Sequence, residues 1–116
     1  MKNFKELKVW QRAHELAKFI YKITKEFPQD EKFGLVSQMR RAAVSVASNV
    51  VEGFHRYSAK VSVNFYNISD ASLEELRYQL LLSKDLNYLS NEDYDESLKL
   101  SEEVSKMLRS WIRTQN

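Results

Sequence analysis

The chain has 116 residues, 43 % apolar and 29 % charged, with a formal net charge of +2, a globular composition that is neither disordered nor membrane-like. Two glycines and one proline are too few for the turn every ~8–12 residues that a β-sandwich or barrel needs. With no cysteine there are no disulfides, thiolate zinc sites, iron–sulfur clusters or cysteine nucleophile.

The first predicted helix runs from Lys5 to Glu26. Val9, Ala13, Leu16, Ala17, Ile20, Ile23, Thr24 and Phe27 recur at spacings of three and four, within a stripe of roughly 120°. Lys8, Arg12, Lys18, Lys22 and Lys25 lie off that stripe, on the water side, as a candidate basic surface. Phe27 precedes Pro28 and so avoids helical dihedrals, which ends the helix.

The second helix is expected from Asp30, as N-cap, through Gly34 to Glu52, with Gly53 as its C-cap. Its apolar arc, from Leu35 and Val36 to Val50 and Val51, is about 180° wide, where one bundle core needs only ~100–120°. The excess must face further intramolecular packing or another subunit. The opposite side is a polar stripe of Gln38, Arg41, Ser45, Ser48, Asn49, Glu52 and Arg56.

Ser58 is the expected N-cap of a third helix over residues 59–87, with Val61, Phe65, Ile68, Leu76, Leu80 and Leu86 inward. After a connection from Asn87 to Asn91, the fourth helix covers Glu92 to Ile112, with Tyr94, Leu98, Ser101, Val104, Leu108 and Trp111 inward. Helices of ~20 residues on short links fold back antiparallel, so one domain over 1–116 is expected: an all-α, up-down-up-down four-helix bundle.

Arg41 and Glu75 each lie 17 residues from Ser58, which sets them level on antiparallel helices, flanked by Gln38 and Gln79. The expected contact is a largely buried ion pair that fixes helix register; the alternative is a polar site for a ligand or partner.

The chain carries little catalytic chemistry. Glu52-Gly53-Phe54-His55 has the spacing of half a di-iron carboxylate site, which needs the motif twice plus two more glutamates. The only other histidine, His14, follows Gln11 at that spacing, so neither metal nor cofactor is expected. No serine sits in a Gly-x-Ser-x-Gly turn and no glycine-rich phosphate loop occurs, so the expectation is a protein that is not an enzyme and takes no small-molecule substrate. No stretch of 18 apolar residues occurs, so no membrane span is expected. The N-terminus, Met1-Lys2-Asn3-Phe4-Lys5, lacks the apolar region of a signal peptide, and the expected compartment is the cytoplasm. Residues 1–60 hold 12 basic and 6 acidic side chains, and residues 61–116 hold 6 and 10. The basic half reads either as a solvated face or as a surface for a polyanion.

Three runs of residues carry a family likeness. They are Phe4-x-x-Leu7-x-Val9-Trp10-Gln11, then Phe27-Pro28-x-x-Glu31-x-Phe33-Gly34-Leu35-x-x-Gln38-x-Arg40-Arg41-Ala42, then Ser45-Val46-x-x-Asn49-Val50-x-Glu52-Gly53-x-x-Arg56-x-Ser58. With Phe65, Ala71-Ser72 and Glu75, they resemble the 23S rRNA-intervening-sequence protein family, the short four-helix-bundle proteins of bacteria. Phe33 stands where many members have tyrosine. The resemblance implies a bundle without an established activity. It also implies kinship with the accessory variability protein of diversity-generating retroelements, a basic ring-forming pentamer that binds nucleic acid and a reverse transcriptase. The resulting expectation is a non-enzymatic adaptor, a ring-like homo-oligomer of five copies, that binds structured RNA or a nucleic-acid-processing enzyme. The alternative is a protein-only scaffold whose apolar surface serves self-association.

Overall fold

A computed structural model of the chain describes residues 3–115; Met1 and Lys2, on which the reading of the export signal partly rests, lie outside the described residues. The described residues form an all-α four-helix bundle: α1 (Lys8–Thr24), α2 (Leu35–Phe54), α3 (Ala59–Asp85) and α4 (Asn91–Arg113), with 3-10 turns at Phe4–Glu6 and Gln29–Glu31. α1 packs on α2 and α4, and α3 packs on α2 and α4, while the backbones of each diagonal pair stay apart. Contacts across the seams fix the antiparallel order: Arg40 meets Thr24, Ser45 meets Ser72, Arg12 meets Glu103, and Lys84 lies over Tyr94.

The N-terminal helix begins later than expected. Asn3 caps the first 3-10 turn, accepting from the Lys5 amide at 2.9 Å, and Leu7 is extended at φ −75°, ψ 121°. That break lets both Leu7 and Val9 point inward, where they join Val50, Tyr66 and Leu108 in the core at one end of the bundle. The rest of the α1 stripe is buried as its periodicity predicts, from Val9 to Phe27.

The start of α2 is a correction. Residues 29–31 form a separate 3-10 turn, and α2 starts only after Gly34. The cap comes from Glu31 rather than Asp30: Glu31 Oε1 accepts from the Leu35 amide at 3.1 Å, a carboxylate at the positive end of a helix. Its other oxygen accepts from the Tyr88 hydroxyl at 3.1 Å, tying the start of α2 to the α3–α4 connection. That bond to Glu31 is the largest cause holding the Tyr88 phenol above its usual range.

Gly53 is a second correction. It lies inside the last turn of α2 and carries no left-handed backbone. Its role is close approach: a Cβ there would stand 2.4 Å from Tyr66 Cε1.

Ser58 caps α3 as expected, accepting from the Val61 amide, but the inward face of α3 differs in its N-terminal half and at its C-cap, Leu86. Ser62, Tyr66 and Ser69 are buried, while Val61, Ile68 and Leu86 are exposed. The serines bring α3 close to α2 and satisfy their own hydroxyls. Ser62 Oγ donates to Gly53 O at 2.8 Å, Ser69 Oγ donates to Val46 O at 2.6 Å, and the Ser45 and Ser72 hydroxyls share a 2.8 Å bond. α3 ends with Asn87 in the left-handed region at φ 63°. The Tyr88 and Asn87 amides donate back to Ser83 O and Lys84 O at 2.9 Å each, which satisfies the last carbonyls of the helix. Ser90 then caps α4 through the Asp93 amide at 3.1 Å.

Candidate functional site

The polar stripe of α2 lies along its seam with α3, apart from Ser48, which lines the side toward α1. The Ser45–Ser72 bond places Arg41 and Glu75 at nearly the same height, four residues before and three after, so the expected register holds. The expected burial and pairing do not: both residues are exposed, and no ion pair joins them. Each bonds along its own helix instead. Arg41 Nη2 donates to Gln38 Oε1 at 3.4 Å, and Gln79 Nε2 donates to Glu75 Oε2 at 3.1 Å. The physical reason is that an ion pair in water gains little, while burying two charges costs several kcal/mol each, of order. The small groups Ser45, Ser72 and Ala42 occupy the seam itself, and of the expected quartet only Gln79 is buried, with its Oε1 unpartnered.

Asn49 is held by Ser45, donating to its carbonyl at 2.9 Å and its hydroxyl at 3.0 Å. Glu52 pairs with Arg56 one turn on, and the Arg56 guanidinium lies 4.9 Å from the centre of the Phe65 ring. His55 turns away from Glu52 to meet Phe4 and Phe54 edge-on. Among the described residues no three His, Asp or Glu side chains come together to hold a metal ion.

The five basic residues follow the outer side of α1 and its C-cap, Lys25, along open grooves toward α4 and α2. Arg12 faces α4, where its Nε lies 3.3 Å from Glu103 Oε2, and Lys8 lies on the same side, beside Met107. Lys18 and Lys22 stand between the grooves toward α4 and α2 and line both, with Lys18 Nζ 3.4 Å from Glu15 and Lys22 Nζ 6.0 Å from the centre of the Phe19 ring, while Lys25 lies toward α2. These three line an open groove of about 630 Å³ between α1 and α2. Its floor is apolar, made by Ala17, Val44, Ala47 and Val51. One end is aromatic: Phe4 meets Trp10 edge-on at 5.0 Å, and Trp10 stacks on His14 at 4.8 Å. Tyr21, 42 % exposed, forms part of the wall, with the Arg40 guanidinium 4.6 Å from its ring centre.

The groove accounts for the over-wide apolar arc of α2. Met39, Ala43, Val46 and Val50 fill the core, leaving Ala47 and Val51 partly open and Val44 43 % exposed. Periodicity therefore signalled an unpartnered strip but not its aromatic end. Phe4 and Trp10 come from a segment whose break at Leu7 leaves no periodic trace.

These features define a small helical bundle whose candidate sites are surfaces for contact. The chain matches the 23S rRNA-intervening sequence protein family over residues 5–110 and belongs to that family. It is similar to a solved Bacteroides thetaiotaomicron VPI-5482 protein of unknown function from the S23 ribosomal protein family. That similarity has a TM-score of 0.81 and 28 % identity, and covers 91 % of this chain and 99 % of the other. No curated protein matches the chain. No described helix is long and apolar enough to cross a membrane.

Proposed function

We propose that this chain is a non-enzymatic, cytoplasmic adaptor that self-associates into a ring and holds structured RNA or a nucleic-acid-processing enzyme. The observation that carries the reading is the α1–α2 groove: an apolar floor left open beside a finished core, with three lysines along it and no carboxylate lining it. An apolar strip of this kind marks an interaction surface. The family resemblance implies five copies in the ring. The excess of positive charge in residues 1–60 supports a polyanionic partner, because lysine and arginine gain from releasing the counterions of phosphates. No step of this role needs a metal, cofactor or small-molecule substrate.

Retention of structured RNA by the purified protein, measured across a salt series, tests the nucleic-acid half of the reading. A charge-driven complex weakens steeply as salt rises. Undetectable retention at low salt would contradict it and leave the second reading, a protein-only scaffold. One observation favours that second reading: Arg12, Lys18 and Arg56 already face carboxylates of the chain itself.

A further inference from the structure

The corner between the end of α1 and the start of α2 holds a small polar pocket of about 140 Å³. The exposed Lys25, Gln29 and Lys32, the half-buried Arg40 and the buried Thr24 and Val36 line it. Three cations meet there and no carboxylate does. The polar clefts between α1 and α4 differ, since each has Glu15 beside its cations. Glu26 and Asp30, close by in sequence, do not line the pocket, and Glu31 is committed to the Leu35 amide and the Tyr88 hydroxyl. Among the described residues neither Lys25 nor Lys32 has a carboxylate partner. Lys32 Nζ stands 5.4 Å from the centre of the exposed Phe33 ring.

Arg40 is the fixed member of the three. Its Nε donates to Thr24 Oγ1 at 2.9 Å and its Nη2 to Tyr21 O at 3.3 Å, and the Tyr21 ring centre lies 4.6 Å from the guanidinium. Thr24 Oγ1 donates in turn to Ile20 O at 2.7 Å. A guanidinium held in this way meets a ligand without the cost of ordering a long side chain, and its fork carries more N–H groups than the hold uses. The helix dipole explains only part of the cluster. The C-terminal end of a helix favours cations and disfavours anions, which accounts for Lys25 and Arg40 but not for Lys32, beyond Pro28. Here that negative end is closed off. The Lys25 and Phe27 amides donate to Lys22 O and Thr24 O, and Arg40 covers Tyr21 O.

We propose that this pocket binds a phosphate group. The three cations come from three segments: the C-cap of α1, the end of the 3-10 turn at Gln29–Glu31, and α2. A tetrahedral anion turns oxygens toward several sides at once, whereas a carboxylate offers two in one plane. A water needs only ~10–15 Å³ of free space, so a polyatomic anion fits. Two sources carry this chemistry: a free phosphate or monoester, and the phosphodiester of a nucleic-acid backbone. The site goes beyond the adaptor role proposed above and stands without it.

NMR of the intact protein tests the site, following amide and guanidinium N–H shifts as inorganic phosphate is titrated against sodium chloride of equal ionic strength. The expected result is a saturable response gathered on Thr24, Lys25, Lys32 and the Arg40 Nε–H, and absent with chloride. Lys25→Gln with Lys32→Gln, both at exposed positions, should weaken it about tenfold, the effect of losing two charge contacts. Arg40→Lys keeps the charge but removes the fork and should weaken it too. Lys18→Gln with Lys22→Gln lies outside the pocket and should leave it unchanged. An equal response to chloride, a response spread over all the lysines, or one that survives Lys25→Gln with Lys32→Gln would overturn the proposal. In a second arm, a single-stranded oligoribonucleotide without terminal phosphates replaces the inorganic anion. The same residues responding would identify a phosphodiester as the ligand, and a response to inorganic phosphate alone would identify a free phosphate or monoester. A protein that retains RNA but shows no phosphate response would refute this site and leave the adaptor role standing. The phosphate response without RNA retention would do the reverse.

Discussion

Gly53 has no room for a side chain. With a Cβ placed 2.4 Å from the Tyr66 ring, either the ring or the α2–α3 spacing must give way, so Gly53→Ala should destabilise by about 1–3 kcal/mol, as overpacking does. Urea unfolding measures this, and a loss below about 0.3 kcal/mol would mean that the ring yields freely. Tyr66 also sets an alkaline limit. Burial, slightly offset by the Trp111 indole, holds its phenol above the ordinary value of 10.0, so the folded chain keeps a proton that the unfolded chain loses. That contribution is complete below about pH 10 and is lost as pH rises through the folded value. Tyr88 acts in the same direction through Glu31. The urea midpoint should therefore fall above about pH 10, and Tyr66→Phe should make the fall shallower; superposable profiles would contradict the assignment. Glu75 sits at the other extreme. Exposed and bonded only to Gln79, it should tolerate Glu75→Ala within about 0.5 kcal/mol, as ordinary surface sites do.

At the scale of the helix, legibility follows how each segment is buried. α1 buries one continuous stripe, and its inward residues follow from spacing alone, whereas α4 buries Ser101, Val104 and Leu108 as expected, leaves Tyr94, Leu98 and Trp111 half-buried, and buries Ser97 and Ser105 as well. α3 departs from its spacing too, because its N-terminal half meets α2 through Ser62 and Ser69. Hydropathy reads serine as water-facing, yet a serine that donates to a carbonyl of the neighbouring helix is at home in a close contact. The same blindness moved Val61 and Ile68 inward in the sequence reading, although they face solvent. The polar stripe was legible in position and height but not in pairing, because spacing sets the level of two side chains and not the direction of a long, hydrated one. The link between Glu31 and Tyr88 spans 57 residues and leaves no local signal. It predicts that Glu31→Ala loses the α2 cap together with that link, at a cost of about 0.5–2 kcal/mol for the cap. Tyr88→Phe should cost less, since it leaves the bond to the Leu35 amide in place. Thermal unfolding of the two variants gives the order, and a costlier Tyr88→Phe would reverse the account.

The whole molecule is a rod of 44 × 24 × 21 Å with a completed core and open apolar surface outside it, of which the groove on α1–α2 is one part. The open apolar floor of the α1–α2 groove supports the proposed assembly from copies of one chain. The excess of apolar residues on α2 was the part of this visible in the sequence. The exposed Ile68, Tyr78 and Leu81 on α3 were not visible, because the buried serines obscure the pattern of that helix. Sedimentation equilibrium of the unmodified protein at micromolar concentration tests self-association most directly. The account predicts a mass that is a multiple of 13.7 kDa, five-fold for the ring. A single 13.7 kDa species at every salt concentration would contradict it.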